Sequence, residues 1–272
     1  MSLWFSVILL AVLQGLTEFL PVSSSGHLAV LSAFFGFKGE ESATLGIMLH
    51  FGSLLAIVVF YFQLLIGFFR RDQWHLLGMV ILGSIPAGVI GILIKHFHLD
   101  SRLFGDLAII AFGFLITGAL LRLSGKKKLL ERSAPPTQIK EITWKQSLVV
   151  GAVQSAAILP GISRSGSTIV AGLLAGIERE AAAAFSFLLA LPAIFGATLL
   201  ETADLLKGKA ESAMTVSGLQ LAVAVTVSAL TSFIALQFLV KLVKKGKLCA
   251  FSWYVFFLGL LLIIKYFSRY AG

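Results

Sequence analysis

Residues 14–27 read Gln-Gly-Leu-Thr-Glu-Phe-Leu-Pro-Val-Ser-Ser-Ser-Gly-His, a polar run inside an otherwise apolar chain. A second polar run, at 154–168, reads Gln-Ser-Ala-Ala-Ile-Leu-Pro-Gly-Ile-Ser-Arg-Ser-Gly-Ser-Thr. Ionisable side chains are costly at membrane depth, and where they occur there they are functional candidates by default. The two runs together predict an active site.

The composition around these runs predicts an integral membrane protein. Of 272 residues, 58% are hydrophobic and only 13% are charged, and the mean hydropathy is +0.95, whereas about 25% of residues are charged in a soluble domain. The net charge of +9 does not indicate a nucleic-acid partner, because the basic residues cluster between apolar runs. Cys249 is the only cysteine, which excludes an intramolecular disulfide.

Six apolar stretches reach the roughly 20 residues that a helical span requires. They predict transmembrane helices at about 48–69, 76–94, 105–122, 184–203, 217–240 and 249–268. Basic residues concentrate near 70–71, 122–145 and 241–247 and mark three cytoplasmic segments. The loops at 95–104 and 204–215, and both termini, are then expected outside.

The two polar runs belong to an internal repeat. A shift of 140 residues places Gln14 on Gln154, and it places Ser23 on Ser163. We predict a first repeat at 1–122, a solvated cytoplasmic linker at 123–146 and a second repeat at 147–272. Because each repeat contains an odd number of spans, the second must be inverted in the membrane.

Each repeat begins with an apolar segment that Pro, Gly and Ser interrupt, at about 4–35 and 147–176. We interpret both as re-entrant helix-turn-helix hairpins, which are tolerated only where the broken backbone is buried in protein or lines a wet cavity. The expected fold is therefore an all-α polytopic membrane protein, with six transmembrane helices and two re-entrant hairpins in an inverted-topology repeat.

The residue types in the runs favour phosphate chemistry. Gln14 and Glu18 are four apart and share one helix face. A helix that begins near Ser24 would point free backbone N–H groups at an anion. Arg164 carries a planar guanidinium that matches phosphate oxygens. With Glu18 as a base, a serine as nucleophile and His27 as proton carrier, the parts for phosphoryl transfer are present.

Simpler interpretations compete with this one. The serines could cap and pack helices, and Glu18 and Arg164 could form a structural ion pair. His50, at the start of a span, is ambiguous. Trp253 and Tyr254 are typical of span packing or of an interfacial aromatic belt. No His or Cys pair has zinc-ligand spacing, while Mg²⁺ or Ca²⁺ bridging Glu18 and a phosphate stays open as a cofactor.

Both runs, together with Phe-Ser-Phe-Leu-Leu-Ala-Leu-Pro at 185–192, resemble the signatures of the undecaprenyl pyrophosphate phosphatases of the bacitracin-resistance family. The resemblance covers essentially the whole chain. It implies an enzyme of the bacterial cytoplasmic membrane that hydrolyses undecaprenyl pyrophosphate to the monophosphate, recycles this lipid carrier for cell-wall glycans and meets its substrate on the outer side.

The same resemblance implies the site residues. The catalytic positions fall on Glu18, Ser24, His27 and Arg164, and the attacking group could be Ser24, His27 or a water. The first motif position, often Glu in the family, is Gln14 here, so Glu18 is the sole motif carboxylate. The expected phosphate-binding residues are Gln14, Ser23, Ser25, Gly26, Ser163, Ser165, Gly166, Ser167 and Thr168.

The sequence is also compatible with a function of another class. A polyprenyl-phosphate flippase or secondary transporter could share the architecture, because inverted repeats with broken helices are a common transporter design. The expected partners are a polyprenyl pyrophosphate lipid and the bilayer, and a homodimer is a further candidate assembly.

Overall fold

The computed structural model describes residues 3–37, 39–71, 73–97, 99, 103, 106–126, 135–206 and 216–268. Within these ranges the regular structure is helical, apart from one isolated bridge between Thr137 and Ile177. Short 3₁₀ turns lie at Ile139–Glu141 and Leu248–Ala250. The α-helices are α1 (Leu3–Phe19), α2 (Ser24–Phe35), α3 (Gly39–Phe60), α4 (Phe62–Phe69), α5 (Trp74–His96), α6 (Leu107–Leu123), α7 (Trp144–Ala156), α8 (Arg164–Leu174), α9 (Arg179–Leu206), α10 (Gly218–Lys244) and α11 (Phe251–Ser268).

The long helices match the expected spans. Among the described residues, four helical stretches are long and apolar enough to cross a bilayer: Trp74–His96, Arg179–Leu200, Gly218–Lys244 and Leu248–Ser268. A bent pair of helices makes a fifth candidate. The helix expected at 105–122 is present as α6, although its 17 residues are fewer than the roughly 20 of a typical span. The chain is an all-helical membrane protein.

The first expected span differs from the prediction of one helix over 48–69. Its helix begins earlier, at Gly39, and breaks at Tyr61, where Leu45–Phe60 and Phe62–Phe69 meet at 76°. Phe60 packs edge-on against Phe233 of α10, and Tyr61 packs against Phe187 of α9. Two bulky rings thus hold the break against neighbouring helices, and no proline or glycine marks it in the sequence.

The segment expected as a solvated linker at 123–146 is partly packed against the protein. Residues 127–134 lie outside the described ranges, but the Thr137 N–H donates to Gly176 O (2.9 Å), and the Glu178 N–H donates to Thr137 O (3.0 Å). Ile142 is fully buried, and its carbonyl lies 2.8 Å from His75 Nε2. Tertiary hydrogen bonds therefore fasten residues 135–143, which we call the strap, onto the loop after α8.

Close helix packing holds the two hairpins in place. Helix α1 lies along α10, and helix α7 lies along α5. Both contacts rely on glycine: a Cβ at Gly15 would fall 2.7 Å from Ser228 O, and one at Gly151 would fall 2.1 Å from Gly83 O. Small residues allow two helix backbones to come this close. Such packing matters in a membrane, because the hydrophobic effect does not drive helices together in lipid.

The three basic segments meet at one end of the molecule. Lys244 Nζ lies 2.8 Å from Glu180 Oε2, and the side chain of Cys249 lies beside Gly125. His75 reaches the strap at this same end. Lys95 Nζ, at the other end of α5, donates instead to Leu200 O at the far end of α9 (3.4 Å).

Replacing Gly151 by Val tests the close contact of α7 with α5. The added side chain meets the Gly83 backbone, so we expect overpacking to destabilise the protein by about 1–3 kcal/mol and to lower the midpoint of thermal unfolding in detergent. Gly196→Ala is the matched control, because a Cβ there meets nothing within 4 Å. Equal midpoints for the two variants would contradict the packing described here.

Candidate active site

The two broken helix pairs bring their turns into contact. Helix α1 ends at Phe19 before α2 begins at Ser24, and α7 ends at Ala156 before α8 begins at Arg164. Ser165 Oγ donates to Leu20 O across the two turns (3.3 Å). A Cβ on Gly26 would lie 2.7 Å from the Phe114 ring and 3.2 Å from Gly161 Cα, so glycine at this position allows the two turns to approach closely.

Glu18 is the centre of the joined turns. Its side chain is buried, with the residue 7% exposed. Oε1 accepts a hydrogen bond from Arg164 Nη2 (2.5 Å), while Oε2 accepts from Ser24 Oγ (2.7 Å) and from Gln14 Nε2 (2.8 Å). Three of the predicted catalytic residues, from two segments 146 positions apart, thus meet on one carboxylate.

His50 joins the same cluster from α3. Its Nδ1 lies 3.0 Å from Glu18 Oε2 and 2.7 Å from Gln14 Nε2. The Glu18 carboxylate can only accept and the Gln14 amide nitrogen can only donate, so the Nδ1–H tautomer serves Glu18 and the Nε2–H tautomer serves Gln14. The sequence left His50 ambiguous; its one signal was a polar side chain at the start of an apolar span.

Several polar atoms near Glu18 are buried and have no partner in the described part of the chain. These include Arg164 Nη1 and Gln14 Oε1. A buried polar atom without a hydrogen bond is costly, and such atoms call for a ligand or an ordered water. The guanidinium therefore keeps one donor edge available for an anion while its other edge holds Glu18.

Two polar residues of the second motif run are also buried. Gln154, the counterpart of Gln14, is 2% exposed, and neither atom of its amide has a partner among the described residues. The hydroxyl of Ser167 is buried in the same unpaired state. A shift of 140 residues places Ile158 opposite Glu18, so the second half has no carboxylate at the equivalent position.

Most of the remaining motif hydroxyls are engaged with protein atoms. Ser163 Oγ accepts from the Gly166 N–H (3.1 Å) and lies 3.2 Å from Ser165 Oγ. Thr168 Oγ1 donates to Arg164 O (2.7 Å) and lies 2.6 Å from the hydroxyl of Ser186. These residues shape the start of α8 and fix the backbone that carries Arg164.

The first turn has an equivalent arrangement. Ser23 adopts a left-handed backbone with φ of 67°, its Oγ accepts from the Gly26 N–H (3.4 Å), and it lies 3.3 Å from Ser25 Oγ. Because Ser23 and Ser163 cap Gly26 and Gly166, the N–H groups left for an anion are those at the very start of α2 and α8.

His27 is bonded away from the Glu18 cluster. Its Nδ1 donates to Ser23 O (2.7 Å), and its Nε2 lies 2.8 Å from the hydroxyl of Tyr254 on α11. It occupies the face of α2 that also carries Ser24, one turn further on. Sequence reasoning missed Tyr254, because a tyrosine near a span end is typical of an interfacial belt.

The oxygen atoms near Glu18 fit a cation that binds together with the substrate better than one held by the protein alone. No three His, Cys, Asp or Glu side chains come together as a metal site in the ranges that the structure describes. Glu18 nevertheless supplies a carboxylate, and Gln14 Oε1 is a buried oxygen without a partner among the described residues. Mg²⁺ often binds through one carboxylate together with substrate phosphates, so these residues fit an ion that arrives with a pyrophosphate.

This chain is similar in sequence to known proteins over nearly its full length. It is 40% identical over 262 residues to an undecaprenyl-diphosphatase of Halothermothrix orenii, covering 96% of this chain and 97% of the relative. It is 40% identical to undecaprenyl-diphosphatase 4 of Bacillus thuringiensis (98% of each chain) and 35% identical to an undecaprenyl-diphosphatase of Parabacteroides distasonis (96% and 97%). Residues 7–261 match the model of one family. The chain belongs to that family, the bacitracin resistance protein BacA family.

Proposed function

We propose that this membrane protein is an undecaprenyl-diphosphatase, which hydrolyses undecaprenyl pyrophosphate to undecaprenyl phosphate and inorganic phosphate. The observation that carries the proposal is the Glu18 carboxylate, bound at once by Arg164 and by the hydroxyl of Ser24. The family and the near-complete coverage of relatives with this activity support it. Recycling of the lipid carrier and bacitracin resistance follow from this reaction.

We expect the substrate to bind to the hydrogen-bond donors of the site that have no partner among the described residues. The free Nη1 edge of Arg164 takes a pyrophosphate oxygen through a charge-assisted hydrogen bond. The first N–H groups of α2 and α8 favour the same negative charge. A divalent ion held by Glu18 and Gln14 would neutralise further charge on the pyrophosphate.

Ser24 is the proposed nucleophile. As Ser24 Oγ attacks the terminal phosphorus, Glu18 takes its proton over the 2.7 Å hydrogen bond. The bond from that phosphorus to the bridging oxygen breaks, and the oxygen leaves with undecaprenyl phosphate. The phosphoryl group remains on Ser24, and Arg164 stabilises the charge on its oxygens.

Water completes the reaction. It displaces the Tyr254 hydroxyl from Nε2 of His27, one turn from Ser24 on α2, and attacks the phosphoserine while that nitrogen accepts its proton. The bond between phosphorus and Ser24 Oγ breaks, and Glu18 returns the proton to the departing oxygen. Inorganic phosphate leaves and His27 releases its proton to solvent, which restores the resting site.

The proposed topology is six spans with two re-entrant hairpins, in two inverted repeats at 1–122 and 147–272. Two observations support it. Three of the four hairpin helices, α2, α7 and α8, have only 12, 13 and 11 residues, far fewer than a typical span of roughly 20. Helix α1 packs on α10 as α7 packs on α5, and these are the pairings that a twofold relation between halves would exchange.

Charge orients this arrangement in the bacterial cytoplasmic membrane. The end where Glu180 meets Lys244 gathers the basic segments and is the proposed cytoplasmic end. The first hairpin then enters from the opposite face and carries Glu18 and Ser24 with it. The substrate is accordingly met on the outer side.

Phosphate release from undecaprenyl pyrophosphate by the purified protein tests the activity. Glu18→Gln removes the base, and we expect turnover to fall by about 10²–10⁴-fold. Arg164→Ala removes a charge-stabilising donor, and we expect a loss of about 10²–10³-fold. Arg71→Ala is the control, because this guanidinium stacks on Trp74 at the far end. Lipid movement between leaflets without phosphate release would favour the flippase alternative.

Ser24→Ala tests the nucleophile. We expect the variant to lose turnover and, unlike wild type, to retain no acid-stable phosphoserine after rapid quenching with substrate labelled at the terminal phosphate. Mass spectrometry of the quenched wild type should place the phosphate on residue 24. Wild-type turnover in Ser24→Ala would instead assign the attack to water.

Single-cysteine labelling in intact cells tests the inverted topology. In a Cys249→Ser background, Arg71→Cys and Lys245→Cys should be protected from a membrane-impermeant maleimide, and His96→Cys should react. All three native side chains are exposed, so accessibility depends on the membrane side. Equal labelling of positions 71 and 96 would contradict the proposed orientation.

A further inference from the structure

Tyr254 and His27 form a polar contact between the two halves of the chain. The Tyr254 hydroxyl lies 2.8 Å from His27 Nε2, although the residues are 227 positions apart. Their rings stack at a centroid distance of 5.8 Å and an interplanar angle of 13°. The last helix, α11, thus reaches the first hairpin through the hydroxyl and the ring of Tyr254.

The other bonds of His27 define what the hydroxyl does. The Ser23 carbonyl can only accept, so Nδ1 carries the proton of the ring. In the neutral ring Nε2 then holds a lone pair, to which the Tyr254 O–H donates. Phe114 packs edge-on against the imidazole at 5.3 Å. The ring therefore has one tautomer and one orientation that satisfy every neighbour.

The environment of Tyr254 is unlike that of an interfacial anchor. A belt tyrosine turns its hydroxyl toward water and headgroups. Tyr254 is 46% exposed, yet its hydroxyl bonds to a ring nitrogen of another helix. Its neighbour Trp253 is 67% exposed and lies under the Arg122 guanidinium at 4.8 Å, as an anchor does.

We infer that Tyr254 is a positioning residue for hydrolysis: in the resting site its hydroxyl donates to His27 Nε2 and holds the ring in the orientation from which Nε2 takes the proton once the water displaces the hydroxyl. This inference rests on the proposed function. Tyr254 acts through His27 alone, so its contribution disappears when the imidazole is absent.

The test is a double-mutant cycle in phosphate release by the full-length protein in detergent. Tyr254→Phe removes only the hydroxyl and should lower kcat by about tenfold, the worth of one hydrogen bond, with KM within about twofold. His27→Ala and His27→Ala with Tyr254→Phe should then have equal kcat. Tyr266→Phe, on the same helix, should behave as wild type.

The outcomes separate this inference from the proposed function. If wild type releases phosphate and Tyr254→Phe keeps its kcat, or if the two losses multiply, Tyr254 does not act through His27 and the inference is wrong. If the thermal midpoint of Tyr254→Phe falls in step with its activity, the role of Tyr254 is purely structural and the inference is wrong. Absence of phosphate release by wild type would overturn the proposed function and, with it, the inference.

Discussion

The pairing of Glu18 with Arg164 is the interaction on which the rest of the structure depends. In a chain with so few charges, a buried carboxylate without a cation would be prohibitively costly. Its partner comes from the other half, so neither hairpin can hold its charge alone. Removing either residue leaves the other as a buried charge without a partner. Replacing both by apolar residues would remove the cost of burying charge, and it would also remove the reactive groups. Under the proposed function, Arg164 thus both compensates the charge of Glu18 and binds the phosphate.

Bringing these two charges together requires unusually close backbone contact. Gly26 and Gly161 face each other where the turns meet, and Gly161 itself adopts a left-handed φ of 88° that favours glycine. Thr117 supports this turn by accepting from the Ser163 N–H and donating to Gly161 O. Without such backbone proximity, the 2.5 Å contact between Arg164 and Glu18 could not form.

The sequence predicted the elements that depend on local signals. Long apolar runs set the limits of α5 and α10 within a few residues, because lipid demands continuous helix there. The break at Tyr61 and the packed strap were not predicted: the first depends on rings from α9 and α10, and the second on hydrogen bonds to a loop about forty residues away. In both cases the decisive partner is distant in sequence.

In the candidate site, too, the sequence predicted some residues and missed others. Glu18, Ser24 and Arg164 stood out because polar groups are rare in an apolar chain, and the structure brings them together. His50 and Tyr254 did not, since a histidine at the start of a span and a tyrosine near its end are ordinary residues of membrane helices. Their involvement depends on which helix lies next to the first hairpin, and tertiary packing determines that.

The unpaired Gln154 has a consequence for how the protein works across the membrane. Under the proposed repeat, Gln154 matches Gln14, but Ile158 replaces the carboxylate of Glu18 and Ser167 replaces His27. In the proposed twofold arrangement, the carboxylate and the histidine of the site therefore come from the first half only. Under the proposed repeat and orientation, side-chain identity at these positions therefore makes the reaction directional across the membrane, although both halves contribute a turn to the site.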